Sequence, residues 1–402
     1  MIYLDNNATT RPGPGVVAAM NAALTQFWPN PSSIHRPGQA ARQQVELARR
    51  DVGTLINAPA REITFTSGGT EAIHLAIRGV LGTAARRTSS GGTPALPVVV
   101  TPRTEHAAVR ELLEDLQKRG GADIRWAPVG RDGLIDPAAL GPLLAGAALA
   151  SIQWANNETG AIQPVAAIAD LCRRHRAVFH CDATQWAGKM PCDAPAGGAD
   201  LLTFAPHKFH GPKGVGILWA RRGLAIAPPM PGSQELGRRG GTENVPGILG
   251  AGAACREAAV WLADPGGRER LASLRDRFER TIVEALPGAV INGPADPALR
   301  LWNTTNIGFP RLEAEALLLL LSEQGVCASA GAACSSGSLD PSPVLLAMGI
   351  PEPIAHGSLR FSLSRDTTGA EIEEAAAVVI SAVRRLGQTL PIGSPSRTPG
   401  AA

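Results

Sequence analysis

Short apolar runs alternate with helical patterns through the first half of the sequence. The apolar runs predict strands at residues 62–66, 98–101, 124–128, 149–154 and 177–182. Helical spacing predicts helices at residues 71–81, 107–119 and 165–175. This alternation is typical of an α/β fold, in which helices cover both faces of a mostly parallel sheet. Ligands of such sheets bind outside the carboxyl ends of the strands.

One lysine lies between two further predicted strands. An apolar run at residues 201–205 ends in a polar loop with His207, Lys208 and His210, and glycines lead into a second run at residues 217–220. The small residues around Lys208 favour a partly desolvated amine, which is the setting that a Schiff-base lysine needs. A solvated lysine in a turn is the simpler alternative.

Polar residues follow several of the other predicted strands. The segment 67–70, Ser-Gly-Gly-Thr, precedes a helix, and its backbone amides suit a phosphate. Asp182 could hold the protonated ring nitrogen of pyridoxal phosphate, and His106 could stack on a planar cofactor or relay protons. The amides of Asn156 and Asn157 could bind a hydroxyl or a carboxylate. Each has an ordinary alternative, because Ser, Thr and Asp cap helices, Asn is common in turns, and His106 could be a core or capping histidine.

The last third of the chain predicts a second, α+β domain. A composition break at residues 264–267 separates two predicted helices, at 248–262 and 268–286, and indicates a boundary near residue 260. Cys334 lies among small residues, which favours an exposed thiol that can attack sulfur as its thiolate. Arg360 lies in an alternating strand pattern and could bind a carboxylate through two parallel hydrogen bonds. A surface ion pair is the alternative for Arg360.

Two segments have the composition of disordered chain. Residues 84–97 form a low-complexity stretch, which we expect to be a surface loop, and residues 391–402 are rich in Pro, Ser and Gly. We therefore expect the tail at 391–402 to be disordered.

The amino-acid composition and net charge argue against several classes of function. The chain has 402 residues, of which 44% are hydrophobic and 18% charged, as in ordinary globular proteins. Its net charge of +3 is too small to indicate binding to nucleic acid or to a membrane surface. No apolar run approaches the ~20 residues of a membrane span, and the first residues lack a signal-peptide pattern. The 6 scattered cysteines include no Cys-x-x-Cys pair, so we expect no metal site and a cytoplasmic location.

Taken in order, the motifs resemble those of the cysteine desulfurases, in the class V aminotransferase group of pyridoxal-phosphate enzymes. They are Tyr3-Leu-Asp-Asn-Asn-Ala-Thr-Thr, Asn30-Pro-Ser-Ser-Ile-His, Thr66-Ser-Gly-Gly-Thr-Glu, Thr104-Glu-His, Asn156-Asn-Glu-Thr-Gly, His180-Cys-Asp-Ala-Thr-Gln, His207-Lys-Phe-His-Gly-Pro-Lys-Gly, Arg239-Gly-Gly-Thr-Glu-Asn, Ser329-Ala-Gly-Ala-Ala-Cys and Leu359-Arg-Phe-Ser-Leu. The resemblance covers residues 3 to about 385. It implies fold type I, with a seven-stranded, mostly parallel sheet in a large domain at 15–260. A small domain would comprise residues 1–14 and 261–390.

The resemblance also implies a role for each matching residue. Lys208 would attach the cofactor covalently and act as general base, and Asp182 would hold the pyridine nitrogen. His106 would stack on the ring and Gln185 would lie near the phenolic oxygen. The expected phosphate ligands are Gly69, Thr70, His207 and, from the second subunit of a homodimer, Thr242. Asn157 and Arg360 would bind the carboxylate of L-cysteine, and Cys334 would accept the sulfur.

The implied reaction converts L-cysteine into L-alanine and a persulfide on Cys334. The long form of the cysteine loop resembles the group that serves iron–sulfur cluster assembly, so we expect transfer to a sulfur-acceptor or scaffold protein. A transient contact between Cys334 and an iron–sulfur cluster would fit that role. The acceptor could equally belong to a related thiolation pathway.

Several positions depart from the family pattern. Ala205 and Pro206 replace a usual serine and its neighbour, Ala72-Ile-His replaces a usual Ser-Asp-Asn, and Leu236 occupies a commonly basic position. Losing one charge-assisted phosphate contact costs roughly 1.5–3 kcal/mol, which would weaken cofactor binding. Two alternatives therefore stay open: a selenocysteine or cysteine lyase that releases its chalcogen directly, and a non-catalytic desulfurase-like subunit.

Overall fold

A computed structural model describes residues 1–88, 96–331 and 340–389. In chain order, its strands are β1 Ile2–Tyr3, β2 Ile63–Thr66, β3 Val98–Pro102, β4 Asp123–Ala127, β5 Ala147–Gln153, β6 Val178–Asp182, β7 Leu201–Phe204, β8 Gly216–Ala220, β9 Val290–Ile291, β10 Thr304–Gly308, β11 Val326–Cys327 and β12 Ser358–Ser362. The helices are α1 Pro14–Thr25, α2 Arg36–Leu55, α3 Gly69–Thr88, α4 Ala107–Lys118, α5 Pro137–Leu143, α6 Val165–His175, α7 Val245–Leu262, α8 Pro265–Ala285, α9 Ala314–Glu323, α10 Pro343–Ala347, α11 Glu352–Ala355 and α12 Gly369–Thr389.

A seven-stranded sheet forms the centre of the larger part of the molecule. Its strand order is β2-β8-β7-β6-β5-β3-β4. All neighbours pair in parallel except β8, which runs antiparallel to both β2 and β7. Residues of β2, β7 and β8 are buried throughout, as expected for strands covered on both faces. The carboxyl ends of β2, β3, β5, β6 and β7 therefore meet at one edge.

Local sequence signals explain where several helices begin and end. His106 caps α4, and Asp264 caps α8 by accepting a hydrogen bond from the amide of Gly266. Pro265 at the first position of α8 needs no hydrogen-bond partner, so this helix begins three residues before the predicted start. Helix α6 ends at the left-handed residue Arg176, after a last turn of basic side chains that suits the helix dipole.

A smaller three-stranded antiparallel sheet, β9-β10-β12, lies in the C-terminal part, and β1 pairs in parallel with β11. The hydrophobic core beside the three-stranded sheet is separate from that of the large sheet and contains Leu271, Phe278 and Phe361. Ile2 and Leu4 also belong to this second core. These contacts support our proposal that residues 1–14 and 261–390 form the small domain and residues 15–260 the large one.

One sequence prediction was wrong. We expected a surface loop over residues 84–97, but α3 continues through Thr88 and β3 begins at Val98. The composition of residues 84–87, Ala-Ala-Arg-Arg, explains the difference, because alanine and arginine are strong helix formers. Residues 89–95 and the tail at 391–402 lie outside the described residues. Within the described part of the chain, none of the helices combines the length and apolarity that crossing a membrane requires.

Candidate active site

The carboxyl edge of the large sheet encloses a cavity of about 270 Å³, which we call the inner cavity. Its lining residues are Ala8, Gly69, Thr70, Ile73, His106, Gln153, Ala155, Asn157, Asp182, Thr184, Gln185, Ala205, His207 and Lys208. Eight of the predicted site residues are among them, namely Gly69, Thr70, His106, Asn157, Asp182, Gln185, His207 and Lys208. The fold thus brings together residues that are far apart in the sequence, while their individual roles remain predictions.

Lys208 lies at the wall of the inner cavity. It ends a short 3₁₀ turn, Pro206–Lys208, that closely follows β7. Its Nζ atom donates hydrogen bonds to the backbone carbonyl oxygens of Asn7 and Ala8, at 2.8 and 2.9 Å. Because a backbone carbonyl can only accept, the N-terminal arm holds the amine by its hydrogens.

The loop between β2 and α3 forms another wall. An added Cβ on Gly216 would clash with the carbonyl oxygen of Gly68, so glycine allows β8 to start directly against this loop. An added Cβ on Gly68 itself would meet nothing within 4 Å, whereas one on Gly69 would lie 3.5 Å from the Cβ of Ala205. Ala205 therefore adjoins the loop, and its methyl group cannot donate a hydrogen bond.

An ion pair fixes the start of α3. Arg239 donates from Nε and Nη2 to the two carboxylate oxygens of Glu71, at 2.8 and 3.2 Å. Glu71 also accepts a hydrogen bond from the amide of Ser67 at 2.7 Å. Burial raises the pKa of Glu71, but the bonds from Arg239 and Ser67 outweigh it and lower that pKa below its ordinary value. The carboxylate thus stays ionised beside the expected phosphate loop.

Two histidines of the inner cavity are neutral near pH 7. The Nδ1 atom of His106 accepts a hydrogen bond from the amide of Ala108 at 3.1 Å, so the neutral ring carries its hydrogen on Nε2. Burial lowers the pKa of His106, against the opposing effect of Asp182. Burial also lowers the pKa of His207 to about 3, and the charge of Lys208 acts in the same direction.

Asp182 ends β6 at the floor of the inner cavity. It is buried, and its Oδ1 atom accepts a hydrogen bond from the amide of Thr184 at 2.9 Å. His180 lies two residues earlier on the same face of the strand, and its ring nitrogens contact the hydroxyls of Ser151 and Thr203 at 2.8 and 2.9 Å. Burial lowers the pKa of His180 to about 4, so this ring is neutral beneath the carboxylate.

A second cavity, of about 180 Å³, adjoins the first, and we call it the outer cavity. It is lined by Asn7, Ala8, Glu105, His106, Ala107, Arg110, Glu111, Asn157, Glu158, Lys208, Gly331, Pro343 and Arg360. Ala8, His106, Asn157 and Lys208 line both cavities. The amine of Lys208 and the guanidinium of Arg360 therefore face adjoining spaces.

Arg360 is buried on β12 and only partly satisfied. Its Nη2 atom donates to Asp5 at 2.7 Å, and its Nη1 atom donates to the carbonyl oxygen of Asn157 at 3.1 Å. Its Nε atom and the Oδ1 atom of Asn157 are buried without a hydrogen-bond partner among the described residues. Because Arg360 and Asn157 both line the outer cavity, they are the candidate partners of a polar ligand there.

Sequence reasoning assigned no role to several residues of the site. Asp5, Asn7 and Glu105 belong to motifs that we quoted without assigning their chemistry, and Lys189 was not singled out. Glu105 accepts a hydrogen bond from the amide of Gln153 at 2.7 Å, and burial raises its pKa well above the ordinary value. The sequence signal for these residues is weak, because their hydrogen-bond partners are distant in the sequence.

Two predicted site residues need separate mention. Thr242 is exposed, in the segment that follows Arg239. Cys334 lies outside the described residues, between Gly331 and Asp340. Their roles remain predictions.

Comparison with known proteins identifies the family. Residues 2–374 match the family model for the aminotransferases of class V. The chain belongs to this family. A cysteine desulfurase of Cereibacter sphaeroides is 44% identical over 399 residues, which cover 98% of each protein.

Solved structures agree with this assignment to the class V aminotransferases. A NifS-like protein has a TM-score of 0.87 and 33% identity, covering 96% of this chain and 100% of that one. The protein SspA in complex with cysteine has a TM-score of 0.77 and 29% identity, covering 92% and 100%. The predicted resemblance to cysteine desulfurases and the predicted fold are confirmed, as is the prediction of an enzyme.

The family depends on pyridoxal phosphate, as we predicted, and the inner cavity fits this cofactor. Asp182 supplies a carboxylate at the cavity floor and Lys208 supplies a primary amine at its wall. Gly69 and Thr70, the first residues of α3, line the cavity, so the amino end of this helix is placed to meet a phosphate group. The donor set therefore matches the three polar parts of the cofactor.

Proposed function

We propose that the chain converts L-cysteine into L-alanine and a persulfide on Cys334. The observation that carries this proposal is the adjacency of the amine of Lys208 and the buried guanidinium of Arg360 across two joined cavities. An amino acid can then present its carboxylate to one group and its reacting carbon to the other. The relatives named cysteine desulfurase, and the binding of cysteine by SspA, support cysteine as that amino acid.

The inner cavity would hold the cofactor through its own side chains. Lys208 would bind it covalently, Asp182 would hold its ring nitrogen, and His106 would stack on its ring. The start of α3 and His207 would bind its phosphate. When bound, the cofactor withdraws electrons from the substrate carbon attached to the amine.

The outer cavity would orient the substrate. Arg360 and Asn157 would bind its carboxylate, which satisfies the buried Nε atom of Arg360 and fixes the Cα hydrogen toward Lys208. Lys208, once released from the cofactor, would accept that proton as general base.

Sulfur transfer then requires a nucleophile. The thiolate of Cys334 would bond to the substrate sulfur as the carbon–sulfur bond breaks. The carbon fragment keeps the electron pair of the broken bond, takes up protons and leaves as L-alanine. The sulfur stays on Cys334 as a persulfide.

We further propose that the protein acts as a homodimer in the cytoplasm. Thr242 would reach the phosphate of the cofactor in the other subunit, which agrees with its exposure outside both cavities. The persulfide would pass to a sulfur-acceptor or scaffold protein, in iron–sulfur cluster assembly or a related thiolation.

The Cys334→Ala variant tests the nucleophile. We expect it to keep the visible absorbance of the bound cofactor and to lose sulfide and persulfide production from cysteine. Cys327→Ala is the matched control, because Cys327 is a partly buried cysteine that lines neither cavity, and this variant should keep wild-type turnover. Wild-type turnover by Cys334→Ala would contradict the proposal and favour direct release of sulfur.

A further inference from the structure

Lys189 is a buried lysine in a chain that uses lysine sparingly. The sequence contains 38 lysines and arginines, and only Lys118, Lys189, Lys208 and Lys213 are lysines. Lys189 is 4% exposed, and the indole nitrogen of Trp302 donates to its backbone carbonyl at 3.0 Å. Lysine is almost never buried unless it is paired, so its partners indicate its role.

The amine of Lys189 contacts two side-chain amides. Its Nζ atom donates to Oδ1 of Asn7 at 2.8 Å and to Oε1 of Gln185 at 2.5 Å. Burial lowers the pKa of Lys189 far below its ordinary value, and the nearby charges of Lys208 and Arg360 act in the same direction. Both hydrogen bonds need only amine hydrogens, which a neutral amine also has.

Backbone carbonyls show which end of each amide faces Lys189. The Nε2 atom of Gln185 donates to the carbonyl oxygen of Asn7 at 3.0 Å, and the Nδ2 atom of Asn7 donates to the carbonyl oxygen of Asn157 at 3.1 Å. Since a carbonyl only accepts, the amide nitrogens must point toward it and the amide oxygens toward Lys189. Without Lys189, the oxygen of Gln185 would lose this donor, and among the described residues the bond from Nε2 to Asn7 alone would hold the amide.

The orientation of Gln185 determines what the inner cavity offers to a ligand. One Nε2 hydrogen of Gln185 is donated to the carbonyl oxygen of Asn7. The second Nε2 hydrogen can be donated to a ligand in the inner cavity, which Gln185 lines. The carbonyl oxygen of Asn7 that receives the first hydrogen also accepts the amine of Lys208. Lys189, Gln185, Asn7 and Lys208 thus form one connected network.

We propose that Lys189 is a positioning residue that holds Gln185 as a hydrogen-bond donor toward the phenolic oxygen of the cofactor. This inference rests on the cofactor lying in the inner cavity with its ring nitrogen at Asp182. A donor at the phenolic oxygen stabilises its negative charge, and therefore disfavours protonation of the linkage between cofactor and Lys208. Lys189 acts on that linkage through Gln185 and does not touch the substrate.

The test uses the holoenzyme and the pH midpoint of its visible absorption band. We expect Lys189→Met and Gln185→Met each to raise the midpoint by about one pH unit, as the loss of one hydrogen bond predicts. The double variant should show the same shift as each single variant, because both remove the same hydrogen bond. Lys118→Met is the control, since Lys118 is exposed at the end of α4, and its midpoint should equal that of the wild type.

An unchanged midpoint in Lys189→Met, or shifts that add in the double variant, would overturn the proposal. If Lys189→Met does not fold, Gln185→Met still removes the hydrogen bond that Gln185 would donate to the phenolic oxygen. An unchanged midpoint in Gln185→Met would also overturn the proposal. The readout does not require turnover of cysteine. A failure of the proposed desulfurase activity would therefore leave this measurement intact, and the two outcomes are distinguishable.

Discussion

The inner and outer cavities share a wall but differ in how their polar atoms are satisfied. In the inner cavity, Lys208, Asp182 and His106 each have hydrogen-bond partners from the protein itself. In the outer cavity, Nε of Arg360 and Oε2 of Glu105 are buried without a partner among the described residues. Apart from the Oδ1 atom of Asn157, which lines both cavities, the unpartnered buried atoms among the described lining residues thus belong to the outer cavity, where a ligand could satisfy them.

This difference has an energetic meaning. A buried polar group without a hydrogen bond costs about 1–3 kcal/mol, so a ligand that pairs with it recovers that free energy on binding. A carboxylate that bonds to Nε of Arg360 uses a donor that neither Asp5 nor Asn157 occupies. Affinity for the substrate should therefore depend on the outer cavity, and retention of the cofactor on the inner one.

Replacing Arg360 should have the largest effect, because it should weaken substrate binding and leave cofactor binding unchanged. We expect Arg360→Gln to lower kcat/KM for cysteine by about 10²–10⁴-fold, because two charge-assisted hydrogen bonds of ~1.5–3 kcal/mol each are lost. Cofactor affinity, measured by titration of the cofactor-free protein, should stay at the wild-type value. Arg384→Gln, on the exposed side of α12, is the matched control. A change below tenfold, or loss of the cofactor, would contradict the division between the cavities.

The pH dependence of protein stability tests the role of His180, which is buried next to the inner cavity. The pKa of His180 is about 4 in the folded protein, below its ordinary 6.5, so the unfolded chain binds the extra proton first as the pH falls. Its contribution to stability is complete above pH 6.5 and is lost as the pH falls toward 4, by about 3 kcal/mol.

Denaturant unfolding of the holoenzyme across this range provides the measurement. His180→Gln keeps a donor and an acceptor but cannot titrate, so its free energy of unfolding should fall less than that of the wild type. His175→Gln, on α6, should follow the wild type. If the free energies of unfolding of the wild type and of His180→Gln fall by the same amount as the pH is lowered, His180 does not cause the loss of stability.

The smallest expected effect comes from Asp5. Its carboxylate pairs with Arg360 at 2.7 Å and repels the carboxylate of a substrate bound to the same guanidinium. Asp5→Asn keeps an acceptor for Arg360 and removes that charge, so we expect KM for cysteine to fall about threefold, or ~0.6 kcal/mol. Steady-state kinetics with Asp5→Glu as the charge-retaining control measures the change. A higher KM would mean that the charge of Asp5 holds Arg360 in its binding orientation.

The alternation of strands and helices could be predicted because each element has a strong local pattern. The predicted helix at 165–175 coincides with α6, and the predicted strand at 177–182 nearly matches β6. The position of β8 between β2 and β7 could not be predicted, because strand order depends on pairing between distant segments. The two-residue strands β1 and β11 are too short to show any period.

The same limit applies to the candidate site. Asp182 and Lys208 could be predicted as site residues because Asp182 ends an apolar run and Lys208 closely follows one. Lys189 was not, because its contact with Asn7 spans 182 positions and its own segment shows no clear periodicity. Residues whose role depends on a distant partner leave no local signal.

The N-terminal arm has a consequence for synthesis of the protein. The amide of Asn7 donates to the hydroxyl of Ser362, while its carbonyl oxygen receives the amine of Lys208. On the ribosome, the large sheet can form long before Ser362 emerges, but the arm that holds the amine cannot yet be fixed. A nascent chain should therefore acquire its cofactor only near the end of translation.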